Sequence, residues 1–344
     1  MRLDAIETET LSLEAIPGRQ SPNRKGFAQP NITIRSDGLR GRQRLIGSLT
    51  ILVPLFGAIA AVLQAVLFGV GAMELWLLGA MFFLTNMGLE FGWHRNLAHR
   101  GFKAAAPVKN LFAFLGSLAG TGRILFWIAN HRRHHLYSDQ AEDPHSPNVR
   151  KRADSAEELG FWKGMWHAHF GHILNDDLSN CTLFAKDIAQ DRFLIFLNRN
   201  YLPLVLLGLA IPAAVGGIVR GNIAGAVSGM LWGGLFRMFL VYQSHWCLAS
   251  FSHRFGSRPF RTGDKSGNSF FIALVSFGSG WQNNHHAFPT SAYLGLKWWQ
   301  MDIAAWLVVL LSRFGLIWDV RRPSPMAIQS KLIAKMPRAT PFTV

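Results

Sequence analysis

From Ser48 to Val70 the chain carries no charged residue, which is long enough for a helix to cross a bilayer, since about 20 apolar residues suffice. A four-residue link, Gly71-Ala72-Met73-Glu74, leads to a second apolar run from Leu75 to about Phe91. So short a link holds no domain, and the two runs are expected to form a helical hairpin. Tyr201–Val219 and Ile223–Val241 repeat the arrangement around Arg220-Gly221-Asn222. Backbone polar groups in lipid must be satisfied within the segment, so such runs can only be helices. Charged residues make up only 16% of the chain, against ~25% in ordinary soluble domains.

The flanks set the orientation. Residues 1–43 are rich in Arg and interrupted by Pro17, Pro22 and Pro30, and are expected to be a disordered basic arm. Glu7, Glu9 and Glu14 exclude a signal peptide there. The positive-inside rule puts the arm in the cytoplasm, so both hairpins return to that side and the N- and C-termini lie there too. The net charge of +15 is compatible with an anionic leaflet. No nucleic-acid motif is visible. Cys181 and Cys247 cannot make a disulfide framework and suit a reducing compartment.

Residues 104–130 are interrupted by Pro107, Lys109, Gly116, Gly120 and Arg123. They are expected to be an interfacial or re-entrant helix pair, with a third span as the alternative. Met301–Trp318 is expected to be an amphipathic interfacial helix, and Trp298-Trp299 a membrane anchor. Arg237, inside the fourth run, is expected to face protein or water rather than lipid. The expected fold is therefore an all-α integral membrane protein. Four transmembrane helices (48–70, 75–91, 201–219, 223–241) form two hairpins beneath a cytoplasmic helical cap. The catalytic domain spans 44–320, and 321–344 is a tail.

Histidines crowd the cytoplasmic exits. His131, His134 and His135 stand at i, i+3 and i+4, one helical face, where three imidazoles can converge. His94 and His99 follow the first hairpin, His253 the second, and His285 and His286 come later. Eight histidines exceed what one ion needs and suit two, with imidazole favouring first-row transition metals. His94 and His99 diverge by roughly 140° on a regular helix, from 3.6 residues per turn. They serve different ions, or the helix unwinds at Asn96. His167, His169 and His172 could suggest a further metal box, but they read more simply as the polar tips of an interfacial aromatic helix. Arg132 and Arg133 either repel a basic partner or bind an acidic group on the substrate or a redox protein.

The segments HRNLAH, HRRHH followed by SDQAEDPHSP, and GWQNNHHAFP followed by SAYLGLKWWQMDI resemble the membrane-bound fatty acyl desaturases of the acyl-CoA or acyl-lipid Δ9 type. The resemblance runs from about residue 44 to 320. It implies a non-haem di-iron centre, two Fe, held by His94, His99, His131, His134, His135, His253, His285 and His286. It implies a dioxygen-dependent desaturation, near Δ9, of a long-chain acyl substrate carried as acyl-CoA or acyl lipid. Trp246 matches a tryptophan of the acyl tunnel. Asp143, His145 and His169 match residues that support the ligands. The chain departs from the pattern twice. Gln282 stands where the third box usually begins with His, and its amide oxygen is a weaker iron ligand than imidazole. Ala249 stands where an Asn ligand is common, with His245 and Ser250 as neighbours able to substitute.

Electrons must come from an external donor of the cytochrome b5-, ferredoxin- or reductase-type, because the chain has no haem-attachment motif, cysteine cluster or dinucleotide fingerprint. Two other functions remain open: a membrane di-iron hydroxylase, distinguished by its product, and a non-catalytic lipid-binding relative, distinguished by low iron content.

Overall fold

The structure is a computed structural model that describes residues 31–34, 37–152, 155–175 and 177–333. It is mostly helical. Among the described residues, four helices are long and apolar enough to cross a membrane: Gly41–Phe68, Ala72–Ala98, Tyr201–Arg220 and Ile223–His253. Their outer faces carry exposed Leu49, Phe56, Leu63, Trp76, Phe83, Leu206 and Ile218, surface that lipid covers. The chain is a membrane protein of four such helices.

The first helix starts at Asp37, and Thr33–Ile34 pair antiparallel with Leu178–Ser179. The described end of the expected disordered arm is therefore ordered; residues 1–30 lie outside the described residues. The second and fourth helices run further than their apolar stretches, to Ala98 and His253, because each widens into a π-helical segment and continues into polar sequence. Residues 104–130 hold two short helices, Ala106–Ser117 and the start of Ile124–Tyr137, neither long enough to cross. Ile303–Arg313 is likewise short.

Small residues let the third and fourth spans touch. A Cβ on Gly216 would stand 2.3 Å from the Gly225 carbonyl oxygen, and one on Gly229 2.2 Å from that of Pro212. Close backbone approach of this kind replaces the hydrophobic drive that lipid cannot supply. Arg237 is fully buried, and its guanidinium donates to the carbonyls of Gly233, Leu118 and Gly208 at 3.1–3.2 Å. The hydroxyls of Tyr201 and Tyr242 both donate to the Gly120 carbonyl, at 2.8 and 2.5 Å. The turn joining the two short helices is thereby pinned to the third and fourth spans. Around it lies the main core, built from Leu89, Trp93, Ile128, Leu194, Leu204 and Val241 among others.

The opposite end of the bundle is joined by a polar chain. Arg220 and the Ser228 hydroxyl donate to Oε1 of buried Glu74. Gln64 Nε2 donates to Ser228 Oγ at 2.7 Å, and Trp232 Nε1 to Gln64 Oε1 at 3.0 Å. Residues of all four spanning stretches meet here. Replacing Glu74 with Ala strips the acceptor from Arg220, Ser228 and the Gly71 N–H. The expected cost is about 2–3 kcal/mol, the range of hydrogen bonds to charged groups. A thermal midpoint in detergent that moves by less than a degree would contradict this linkage.

Candidate metal centre

The His94 stretch shows how sequence becomes site. Residues Gly88–Ala98 form a π-helix, and the His99 N–H donates to the His94 carbonyl at 3.0 Å. An i→i+5 bond closes a wider turn, so residues five apart return to one face. The rings of His94 and His99 come within 4.9 Å, centroid to centroid. The helix does not unwind at Asn96, and the two residues fall in one cluster. Close packing accompanies the wide turn: a Cβ on Gly88 would stand 2.1 Å from the Gly116 backbone nitrogen.

The second box does not act as one face. His131 and His135, four apart, join His94, His99 and His285 in one group, whose nitrogens all lie within 4.8 Å of one another. His134 joins His253 and His286 in a second group of the same tightness. Adjacent residues on a helix point about 100° apart, from 3.6 residues per turn. His134 and His135 therefore point into different groups, as do His285 and His286 on the short helix Gln282–Ala287. The two helices stand between the groups, with the His135 ring 4.5 Å from those of both His285 and His286.

In the first group Nε2 of His94 lies 3.0 Å from Nε2 of His285, His99 Nε2 lies 2.6 Å from His131 Nε2, and His285 Nε2 lies 2.9 Å from His135 Nε2. A neutral imidazole has one donor and one acceptor, so five converging nitrogens cannot satisfy one another. Burial first, then repulsion from neighbouring histidines, holds His99, His131, His135 and His285 well below the usual imidazole range. They are neutral at pH 7, the form that binds metal.

In the second group each Nδ1 faces a carboxylate: His134 on Asp143 at 3.0 Å, His253 on Asp139 at 3.0 Å, His286 on Asp264 at 2.5 Å. Among the described residues each Nε2 is buried without a partner, and so is the side-chain amide oxygen of Gln282, one turn before His286. A cation would satisfy these atoms, and the donor sets of both groups fit transition-metal ions.

The other expected residues differ in their contacts. The His145 ring lies 4.3 Å from that of His134, tilted by 35°, and the His145 backbone N–H donates to Asp143 at 3.0 Å. His169 bridges Ser250 and Gln243 and packs on Trp246. Trp246 also meets Tyr242 and Phe170, forming an aromatic wall. His245 sits outside both groups: its Nε2 faces Asn86 Oδ1 at 2.9 Å, and its Nδ1 lies 3.7 Å from Glu90. Ser250 is occupied by the Trp246 carbonyl and His169.

Arg132 and Arg133 differ from both readings of them. Arg132 donates to both oxygens of Asp187 at 2.7 and 2.9 Å and to the Leu97 and Ala98 carbonyls, tying the first box to the second. Arg133 is buried on Asp177 and the Glu142 carbonyl. Both are structural, because their donors are spent inside the fold. Glu90, Asp139 and Asp264 were not expected as site residues. The only hint of them was a carboxylate four residues before His94 and two loop aspartates.

His167 and His172 lie outside both groups, and burial holds each down to about 4. An unfolded imidazole titrates near ~6.5. Below that pH the unfolded chain takes up protons that the folded chain refuses. The stability present above about pH 6.5 is therefore lost toward pH 4, at about 1.4 kcal/mol per pH unit per group. A thermal midpoint that falls through this interval, and falls less in a His167→Gln/His172→Gln variant, is the expected result.

Comparison with known proteins follows the same lines. The family described as fatty acid desaturase matches residues 74–315. A hex-5-enoyl-[acyl-carrier protein] acetylenase of Moorena producens is 40% identical over 306 residues, covering 89% of this chain and 95% of that one. An sn-1 stearoyl-lipid 9-desaturase of Anabaena variabilis is 33% identical over 279 residues, 80% of this chain and 89% of that one. Another of that name, from Synechocystis sp., is 32% identical over 251 residues, 72% and 71% of the two chains.

Proposed function

Because the chain belongs to the fatty acid desaturase family, we propose that it introduces a cis double bond at Δ9 into a long saturated acyl chain carried as acyl-CoA or acyl lipid. The observation that carries this is the split of eight histidines into groups of five and three that share two helices. His94, His99, His131, His135 and His285 would hold one iron ion. His134, His253 and His286, with the side-chain amide oxygen of Gln282, would hold the other. The pair supplies dioxygen-dependent removal of hydrogen from an unactivated chain. In balance, two hydrogens leave the acyl chain, and dioxygen with two electrons and two protons becomes two waters. The electrons come from an external redox protein.

The residues of the chain do the rest. Trp246, Tyr242 and Phe170 offer an apolar wall that orients the alkyl chain, and orientation decides which carbons react. Burial excludes water from the imidazoles. We take the first and second spans, and the third and fourth, as two hairpins that return to the cytoplasmic side, so that the site faces soluble reductant.

A second reading has its own support. The acetylenase relative matches over nearly its full length. Gln282 and Ala249 also leave the second position with fewer imidazoles than the usual pattern. Both favour a change of outcome on the same scaffold, to a triple bond or a hydroxyl. Lipid profiling of a host without desaturases, with double-bond mapping by mass spectrometry, separates the outcomes. A new monounsaturated chain is expected. A hydroxylated or alkynyl chain without the alkene would overturn the desaturase assignment.

A further inference from the structure

Resting on that reading, we infer that Asp139 and Asp264 are positioning residues that aim His253 and His286 at the second metal position, and that this position, unlike the first, depends on its loops for its grip.

The two positions are braced differently. In the first, only His94 has a carboxylate behind it, Glu90, 3.0 Å from Nδ1. Nδ1 of His285 is buried without a partner. Five imidazoles on helices fix that position by number. The second position has three imidazoles, each with a carboxylate behind it. A carboxylate only accepts, so it fixes the proton on Nδ1 and turns the lone pair of Nε2 inward. Those Nε2 atoms are the ones left without partners.

The carboxylates are themselves held. Asp139, at φ 56°, takes the Ser146 hydroxyl at 2.5 Å and Asn148 Nδ2 at 2.7 Å on Oδ1. Its Oδ2 takes His253 Nδ1 and the Lys265 N–H, at 3.0 and 2.8 Å. The residue before Lys265 is Asp264, whose Oδ1 takes the Ser266 N–H at 3.0 Å and the Ser266 hydroxyl at 2.5 Å. The loop after the second box and the loop around residue 264 thus clasp each other. Each presents one aspartate to a different histidine.

The test is iron per chain in the purified, detergent-solubilised protein during titration with a chelator. The wild type is expected to hold about two irons. Asp139→Asn and Asp264→Asn should each release one iron at about 10–100-fold lower chelator concentration and keep the other, as loss of such a partner does elsewhere. In a His286→Ala background, Asp264→Asn should change the titration no further, whereas a merely structural role would add a second loss. Should Asp264→Asn not accumulate, Ser266→Ala is titrated instead, and a smaller shift confined to the same iron is expected. Wild-type titration curves in these variants overturn the inference. A wild type without iron overturns the di-iron reading itself.

Discussion

His134→Ala should leave the protein in the membrane, lower its iron from about two per chain to about one, and abolish product. His134 is the only residue of the Ile124–Tyr137 helix in the second group, while His131 and His135 remain with the first. The substitution removes one of the three imidazoles of that group, so that position is expected to empty. The five-histidine group is untouched. The loss of activity should exceed the 10–100-fold typical of residues behind a ligand. Insertion should persist, because His134 lies outside the four spans and packs mainly on other histidines. Product analysis and metal content on the same preparation check the result. Normal desaturation with two irons per chain would remove His134 from the site.

Asp302→Ala should be the most damaging change to the fold. Arg95, the residue after His94, is 1% exposed, and its guanidinium takes both oxygens of Asp302, at 2.6 and 3.1 Å. The same carboxylate accepts the N–H groups of Leu294, Gly295 and Ala305, the last capping helix Ile303–Arg313. Without it a buried guanidinium keeps only the carbonyls of Ala292 and Phe277. Removing one partner of a buried pair costs about 3–5 kcal/mol, a large share of the 5–15 kcal/mol typical of folded domains. A large fall in yield and thermal midpoint is expected, together with loss of iron from the first group, since Arg95 fixes the turn that carries His94. A midpoint near that of the wild type would show that the pair adds little.

Much of this was legible in the residues. Uncharged runs mark the spans, because lipid permits nothing else there. Paired histidines at helical spacing mark the side chains that converge. What spacing could not tell is how they divide. The i, i+3, i+4 set predicts one convergent face, yet two of its members turn one way and the third the other. The wide turn at Gly88–Ala98 is a choice of backbone bonding, and only the awkward gap between His94 and His99 signalled it. The aspartates behind His253 and His286 sit 114 and 22 residues away from their partners. Such pairings follow from loop closure, which no local pattern encodes. Arg132 and Arg133 looked free for the same reason: Asp187 and Asp177 are remote in sequence.

The wide turn also bears on how the scaffold tolerates changes of length. A π segment carries more residues per loop than the rod around it needs. Deleting one residue between His94 and His99 lets the rod tighten while its two ends stay in register, so the bundle survives and the cradle does not. One codon between His94 and His99 therefore decides whether that pair shares a face, while the rest of the rod keeps its course.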